Sequence, residues 1–432
     1  MESQRTPFTR RSLLKLAGAG VGAAVTGSAL AACGSGSGGT DSGKIGGQLS
    51  MATYSYTAGK ASPLQKTLDA YQAKHSNVTF NMIPLPFNEF LNQEMLRLVG
   101  GNRSGVVQLD IGWLPTVAGL GVLTDVGAQA SKLGFLDSAL KNTQVGGKQL
   151  AFPWVTGSLG LIANREILDQ AKVSGTPQTI EEFESVLTEI KGLGKDIIPY
   201  AAATKVGDSL KDFIQWMQAF GATVVSNRTI TITDEPCVQA LTWYKSMLDK
   251  GLIAPNIDRT TDSRPLYTQR RVGFYDDAII AKTSLQIPAS EKDLLAATEP
   301  VTRPTVGSNK SVSRSYGQAL AVLSGGDVTT ARDFAAFATA DNATVLEYFK
   351  NTALPPTTEA ASKSPQVAND PWVTAWTKNI TTYAVPDPFW QFAQFAQLET
   401  LLGEQVEMAL AGKVSPQQAL QTAQDSMRQA VK

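Results

Sequence analysis

The side chains most often used for nucleophilic or metal chemistry are scarce in this sequence. Its 432 residues include one histidine, His75, and two cysteines, Cys33 and Cys237. Ser-His-Asp and Cys-His catalysis both need a histidine base, and zinc sites draw on several histidine or cysteine ligands. His75 falls at the end of an amphipathic helical pattern, where we expect a surface position. The sequence therefore predicts no such nucleophile, no metal and no cofactor. Paired-carboxylate hydrolysis stays open, because Asp and Glu are plentiful.

Cys33 stands in a segment that gives its thiol a different use. Residues 9–15 (TRRSLLK) have the twin-arginine arrangement, and a weakly hydrophobic stretch follows them. Residues 30–33 (LAAC) resemble the lipobox of bacterial lipoproteins, in which the cysteine receives a diacylglyceryl group. We therefore expect residues 1–32 to be a twin-arginine lipoprotein signal peptide and Cys33 to be the lipidation site. The mature protein would then be anchored on the extracytoplasmic face of the cell membrane.

The segment after the lipobox is rich in glycine and serine and has almost no apolar side chains. Residues 33–47 are therefore expected to form a flexible tether, because they cannot bury enough apolar surface to offset the entropy of ordering. If Cys33 carries lipid, Cys237 has no disulfide partner. Cys237 follows Asp234-Glu235-Pro236, a typical helix start, and is expected to be a small buried hydrophobe and not a reactive thiol.

The elements that would position polar side chains alternate between strands and helices. Strands are predicted at residues 48–54, 78–83, 106–112, 159–164, 197–203, 272–275 and 316–323, with helices at 63–73, 89–99, 182–191, 237–250, 331–340 and 398–411 among those between and after them. This order predicts an α/β fold with mainly parallel sheets flanked by helices. Loops that follow the carboxyl ends of such strands usually form the binding surface.

Composition limits the class of protein further. The chain has 38 basic and 38 acidic residues, and removal of the basic leader makes the mature part slightly acidic. There is thus no basic field for nucleic acid. About 400 mature residues are too many for one ordinary core, so two domains or lobes are expected.

Several segments, taken in order, resemble the extracellular solute-binding proteins of ABC importers, specifically the sugar-binding family that includes maltose-binding protein. The matching segments are residues 109–113 (LDIGW), 121–126 (GVLTDV), 148–164, 240–245 (ALTWYK), 354–356 (LPP) and 410–420. Two departures are visible: Leu109 replaces the family's usual proline, and residues 272–277 (VGFYDD) lack a customary stacking tryptophan.

The resemblance implies a two-lobed periplasmic-binding-protein fold (type II-like) with a hinge between the lobes. Lobe 1 would comprise residues 46–153 and 315–355, and lobe 2 residues 154–314 and 356–432. A ligand that contacts both lobes would shift the equilibrium toward a closed state. The family's partners would be a carbohydrate-like small molecule and the permease subunits of an ABC importer, and we expect a monomer.

Sugar recognition needs flat apolar faces for ring C–H groups and polar side chains for hydroxyls. The candidates at a strand end, at a lobe crossing or on a helix of the second lobe are Tyr54, Tyr56, Trp113, Trp154, Thr156, Trp216, Tyr275, Asp276, Asp277, Arg314 and Tyr316. Asn88 precedes the second helix, and the resemblance implies a stacking aromatic at Trp390 near the C-terminus. Tyr275, Asp276 and Asp277 are expected to lie at and just beyond the end of a short strand. Trp372 and Trp376 are spaced for packing on one helix face.

The leading interpretation is a lipid-anchored, non-catalytic receptor that binds a sugar or oligosaccharide between two lobes and delivers it to a permease. Another polar solute, such as a glycerophosphodiester or a polyol, is an alternative because Arg314 and the residues Asp276 and Asp277 could suit a polar head group. An anchored carboxylate-dependent glycoside hydrolase and a scaffold protein without a small ligand are further alternatives.

Overall fold

The computed structural model describes residues 41, 43–56, 62–206 and 212–432. The expected signal peptide, Cys33 and most of the expected tether lie outside the described residues. The strands are β1 Gly47–Thr53, β2 Val78–Pro84, β3 Val106–Asp110, β4 Gln144–Val145, β5 Lys148–Gln149, β6 Phe152–Asn164, β7 Ile198–Ala201, β8 Val225–Ser226, β9 Thr229–Ile230, β10 Val272–Ala278, β11 Thr298–Val301, β12 Ser313–Val322 and β13 Ala384–Val385.

Helices cover both faces of the strands. They are α1 Pro63–Lys74, α2 Phe87–Val99, α3 Leu114–Ala118, α4 Gly127–Ala130, α5 Asp137–Asn142, α6 Arg165–Gln170, α7 Ile180–Lys191, α8 Phe213–Ala219, α9 Glu235–Asp249, α10 Arg264–Thr268, α11 Ala281–Ser284, α12 Lys292–Ala297, α13 Val328–Ala340, α14 Asn342–Thr352, α15 Glu359–Ser362, α16 Pro365–Ala368, α17 Pro371–Asn379, α18 Phe395–Leu410 and α19 Pro416–Ala430. Among the described residues, no helix has the length and apolar character needed to cross a membrane.

The main sheet has the strand order β2-β1-β3-β12-β6-β10-β7, with β11 added to β6 and β13 to β12. Pairing is parallel within the group β1, β2 and β3 and between β7 and β10. The long strands β6 and β12 join these two groups, and they pair antiparallel with each other and with β10 and β3. Two strand groups connected by crossing strands are the framework of a two-lobed α/β fold.

The first strand group forms because each of its elements buries an apolar face. Met51, Ala52 and Thr53 at the end of β1 are fully buried. Helix α1 begins with Pro63 in its first turn and buries Leu64, Leu68 and Tyr71 against the sheet. Because β1 and β3 are parallel neighbours, their carboxyl ends lie at one edge, and the residues after them face a common space.

The second group contains a side-chain helix cap and a buried cysteine. Thr179 and Glu182 form a reciprocal capping box at the start of α7, which satisfies amide groups that the helix leaves unpaired. Cys237 in α9 is fully buried, and burial raises the pKa of its thiol to about 12. The thiol is therefore protonated and unreactive at neutral pH, as expected for a small core residue.

The end of β10 differs from the expectation. The strand continues to Ala278, so Tyr275, Asp276 and Asp277 lie inside it and do not follow it. The prediction of a strand ending at residue 275 was wrong because two consecutive carboxylates are not expected in a buried strand. They are tolerated here since each pairs with an arginine: Asp276 with Arg303 and Asp277 with Arg264.

Candidate ligand-binding cleft

A cleft of about 410 Å³ opens beside β6 and β12, where β1, β3 and β10 end. Its volume falls within the range of roughly 300–1,000 Å³ that is typical of small-molecule sites. The described residues that line it are Tyr54, Ser55, Pro63, Phe87, Asp110, Leu159, Arg259, Thr260, Arg264, Ala278, Ile280, Thr283, Arg314, Ser315, Tyr316, Gln318, Tyr348, Asn351, Thr352, Leu354 and Trp390. Both strand groups and a crossing strand therefore contribute to one surface.

Tyr54, directly after β1, forms an aromatic wall that other rings hold in place. Its ring meets Phe87 and Phe90 edge-on, each at 5.1 Å between ring centroids, and Trp113 at 5.6 Å. Trp113 is itself stacked on Phe90 at an interplanar angle of 13°. Trp113 thus lies behind the wall and supports Tyr54, while Tyr54 and Phe87 face the cleft.

A second aromatic side chain, Tyr348 on α14, is supported in the same way. The ring of Trp154 packs against Tyr348 with 4.4 Å between centroids, and only 1% of Trp154 is exposed. Asn351 lies one turn further along α14 and also lines the cleft. Trp154 is predicted as a site residue from the sequence, whereas the tyrosine that it positions is not.

Trp390 closes another side of the cleft, and a glycine makes room for it. A Cβ atom at Gly112 would overlap the indole nitrogen of Trp390 and lie 2.9 Å from its Cε2 atom. The indole can therefore lie against the short 3-10 helix Ile111–Trp113 only because residue 112 has no side chain. The guanidinium of Arg314 lies 5.6 Å from the centroid of the Trp390 ring.

Arg264 is fixed by a bidentate ion pair. Its Nε and Nη2 atoms donate to the two carboxylate oxygens of Asp277 at 2.9 and 2.7 Å. Burial by itself would raise the pKa of Asp277, but Arg264, Arg259 and the backbone N–H of Ala278 together outweigh it and hold that pKa below its ordinary value. The carboxylate also accepts the backbone N–H of Ala278 at 2.8 Å. Arg264 therefore presents its remaining N–H groups in one orientation.

The other two cleft arginines also have carboxylate partners. Arg314 lies 3.2 Å from Asp387 and 2.9 Å from Glu399, measured between nitrogen and oxygen atoms. Arg259 pairs with Asp212. The cleft consequently presents N–H donors of three guanidinium groups. The positive charge of each group is compensated by at least one carboxylate that does not line the cleft.

Side chains of β1, β3 and β12 form a continuous chain of hydrogen bonds at the base of the cleft. Thr53 donates to Oε1 of Gln108, whose Nε2 donates to Oε1 of Gln318 at 2.8 Å and to Oγ of Ser55 at 2.7 Å. Nε2 of Gln318 then donates to the Tyr316 hydroxyl at 2.6 Å. Burial raises the pKa of Tyr316 well above its ordinary value, so the hydroxyl keeps its proton.

A concave surface with aromatic walls and a few oriented polar groups is typical of a small-molecule site. Protein-family models identify the family of the chain independently of this geometry. Residues 66–375, about three quarters of the chain, match the model described as bacterial extracellular solute-binding protein. The chain belongs to this family. A search of curated protein sequences found no match.

Solved structures similar to this solute-binding protein show the same fold. The GacH receptor of Streptomyces glaucescens, solved unliganded and in complex with acarbose and an acarbose homolog, superposes with a TM-score of 0.78 at 22% identity, over 90% of this chain and 99% of that one. Maltose-bound MalE3 of T. maritima gives 0.79 at 17% identity, over 89% and 99%. A solute-binding protein of Thermotoga lettingae bound with α-D-tagatose gives 0.78 at 17% identity, over 89% and 100%.

The structure brings four of the thirteen candidate residues of this solute-binding protein to the cleft lining: Tyr54, Arg314, Tyr316 and Trp390. Trp113, Trp154 and Asp277 lie directly behind lining residues. Asn88 lies within α2, next to the lining residue Phe87, and its side chain is outside the described part of the chain.

The other five candidates do not line the cleft. Trp216 is buried in the second strand group, where its Nε1 donates to the Tyr200 hydroxyl at 2.9 Å, and Asp276 pairs with Arg303 beside it. Tyr275 packs on Tyr267 with 4.7 Å between centroids. The backbone N–H of Thr156 donates to the carbonyl of Pro355 at 2.9 Å, and Tyr56 packs partly buried against a hydrophobic cluster.

Several lining residues lie on helices and were not predicted from the sequence. Arg259 lies in a short π-helical turn, Arg264 begins α10, and Tyr348 and Asn351 are one turn apart on α14. None follows a predicted strand, so the rule that strand ends form the site could not find them. Asp110 could have been found, because it ends β3 within the segment that resembles the family's strand motif.

Among the residues that the structure describes, no group of three or more His, Cys, Asp and Glu side chains could hold a metal ion. The described cleft lining presents hydrogen-bond donors, aromatic faces and the carboxylate of Asp110, whose Oδ1 accepts the N–H of Gly112 at 3.1 Å.

Proposed function

We propose that this solute-binding protein is the receptor of an ABC importer, that it captures an uncharged sugar or oligosaccharide in the cleft, and that it delivers this solute to a membrane permease. Three solved neighbours hold acarbose, maltose and α-D-tagatose, which makes carbohydrate the first class to consider. The aromatic rings of Tyr54, Tyr348 and Trp390 supply apolar faces for sugar C–H groups.

The observation that carries the proposal is the compensation of every described arginine in the lining. Arg259, Arg264 and Arg314 each pair with at least one carboxylate. A paired guanidinium still offers N–H groups to hydroxyl oxygens, but the nearby carboxylate offsets the attraction of its positive charge for an anion. This arrangement favours an uncharged polyhydroxylated solute over a glycerophosphodiester, whose phosphate would meet the carboxylates as well as the arginines.

The same residues support binding without catalysis. Carboxylate-dependent glycoside hydrolysis requires two carboxyl groups that flank the scissile bond. Asp110 is the one carboxylate among the described lining residues, and both oxygens of Asp277 are bound by Arg264 behind the lining. We infer that the bound sugar leaves the cleft unchanged.

The proposal includes the export and anchoring of the protein. Residues 1–32 would direct twin-arginine export, Cys33 would carry the lipid, and residues 33–47 would tether a monomeric receptor near its permease. Anchoring would raise the local concentration of receptor around the permease, which is the reason to expect it in this class of protein. The division into lobes at residues 46–153 with 315–355, and 154–314 with 356–432, belongs to the same proposal.

Titration calorimetry and thermal unfolding of the purified protein test the proposed solute class. Maltose and α-D-tagatose are the uncharged probes, and glucuronate and a glycerophosphodiester are the matched anionic probes. We expect at least one uncharged sugar to bind, to raise the unfolding temperature, and to be recovered intact. At a hundredfold excess of sugar over Kd, the stabilisation should be about 2.7 kcal/mol. Binding of the anions alone, or conversion of the sugar, would refute the proposal.

A further inference from the structure

The chain of hydrogen bonds from Thr53 through Gln108 and Gln318 to Tyr316, here termed the glutamine relay, crosses from β3 to β12. Gln318 pairs with Asp110 in the antiparallel register, so Gln108 and Gln318 are diagonal neighbours on one face of the sheet. The Gln108, Gln318 and Thr53 side chains are buried, which makes each of their polar atoms costly to leave unpaired. A role for this relay in binding rests on the proposed function of the same cleft.

The direction of donation along the relay is fixed at its first member. The backbone N–H of Ser55 donates to Oγ1 of Thr53 at 3.0 Å. Because Thr53 is fully buried, its hydroxyl proton also needs an acceptor, and Oε1 of Gln108 is that acceptor. The amide of Gln108 must therefore direct its NH₂ group away from Thr53. The need of the buried Thr53 proton for an acceptor thus sets the orientation of the Gln108 amide, and through it that of Gln318.

The same logic continues to the cleft. Nε2 of Gln108 donates to Oε1 of Gln318, which directs the NH₂ group of Gln318 to the oxygen of Tyr316. The tyrosine oxygen is thus an acceptor, and its own proton points elsewhere. Tyr316 lines the cleft, and within the described part of the chain its hydroxyl proton has no hydrogen-bond acceptor.

We propose that Gln318 is a positioning residue that holds the Tyr316 hydroxyl as a donor toward the solute, and so selects a solute with an oxygen acceptor at that place. A hydroxyl, ring or glycosidic oxygen meets this requirement. An ammonium group does not, because it would meet the tyrosine proton with protons of its own. The relay thereby distinguishes sugars from their amino derivatives at one position of the cleft.

The test reverses the relay with an isosteric change. Gln318→Glu replaces the NH₂ donor by a carboxylate oxygen. The Tyr316 hydroxyl would then donate its hydrogen bond to residue 318 and no longer to the solute. The probe is whichever of maltose and α-D-tagatose binds the unaltered protein more tightly. We expect the affinity to fall by about tenfold, which is the typical value of one hydrogen bond.

Tyr316→Phe should cause a similar loss, and the double variant should lose little more than either single one, since both changes remove the same donor. Gln318→Met is the control for the added charge, and it should lose less affinity than Gln318→Glu because it leaves the tyrosine proton unconstrained. If the glutamate variant does not fold, Gln318→Met is combined with Tyr316→Phe, and the affinity of that double variant is compared with those of the two single variants.

Each outcome separates the relay from the proposed function. Losses that add in the double variant, or a Gln318→Glu protein that binds as tightly as the unaltered one, would overturn the role of Gln318 while leaving sugar capture intact. If the unaltered protein binds neither uncharged sugar, the proposed function itself fails.

Discussion

Asp276 and Asp277 are consecutive residues of β10, yet the structure gives them different consequences for binding. Asp277 pairs with Arg264, which lines the cleft, whereas Asp276 pairs with Arg303, which does not. Asp277→Asn and Asp276→Asn therefore form a matched pair of substitutions. Each leaves an arginine without its carboxylate partner, but only the first changes the cleft surface.

The effect on stability should be similar for the two variants. Both carboxylates are at least 94% buried, since Asp276 is 6% and Asp277 0% exposed. Breaking a buried ion pair from one side costs about 3–5 kcal/mol. At roughly 2.1 cal/mol/K per residue for 432 residues, the unfolding temperature should fall by about 3–6 °C in each variant.

The effect on affinity should differ. Asparagine can accept from Arg264 through one oxygen only, and its NH₂ group faces another donor, so the two bonds of 2.9 and 2.7 Å cannot both persist. A hydrogen bond to a charged group contributes about 1.5–3 kcal/mol, so loss of the oriented guanidinium should weaken binding of an uncharged sugar by roughly 10- to 150-fold. Glucuronate should bind better than to the unaltered protein, because no carboxylate would then compensate the charge of Arg264.

Calorimetry of both variants, with the uncharged sugar and with glucuronate, measures whether the two substitutions differ in their effect on affinity. The reasoning is refuted if Asp276→Asn weakens sugar binding as much as Asp277→Asn, or if Asp277→Asn leaves both affinities unchanged at a measurable loss of stability.

Three further predictions concern other parts of the protein. Gly112→Ala should displace Trp390 and weaken sugar binding about tenfold in calorimetry, whereas Gly119→Ala, whose Cβ would lie 3.2 Å from the nearest atom at an exposed position, should bind normally. Sugar affinity should stay constant from pH 7 to about 10, because burial raises the pKa of Tyr316 above its ordinary value and the hydroxyl stays protonated. Stability should fall above about pH 10, since the unfolded chain then releases a proton that the folded chain retains, and denaturant titrations at each pH measure this. Cys33→Ser should abolish labelling with radioactive palmitate and release the protein from the membrane fraction, and continued labelling would contradict lipidation at that residue.

Periodic segments of the sequence predicted the framework well, because burial of one face imposes its own repeat. The strand expected at residues 78–83 is β2, Val78–Pro84, and the helix expected at 63–73 is α1, Pro63–Lys74. Trp372 and Trp376 pack on one face of α17, as their spacing predicted, with 5.2 Å between centroids. The local pattern is sufficient in such segments because the side chains that share one buried face are two to four residues apart in the sequence.

Crossing segments were harder to predict. The strand expected at residues 159–164 is the last part of β6, Phe152–Asn164, whose first half pairs with β12 about 160 residues later in the chain. Its residues are almost all buried, so no alternation of polar and apolar side chains marks its length. The two aspartates of β10 were misplaced for a related reason: their arginine partners come from Arg264 and Arg303, which no local pattern connects to them.

The sequence by itself determined the family and most of the regular elements, because motifs in a fixed order and apolar periodicity are local properties of the chain. Tyr54, Arg314 and Tyr316, which were chosen at a strand end or crossing, and Trp390, which was chosen from the family resemblance, line the cleft. Only the tertiary structure decided which aromatic rings face the cleft and which support them. The compensation of the cleft arginines and the polarity of the glutamine relay were likewise decided there, because both depend on partners brought together from distant segments.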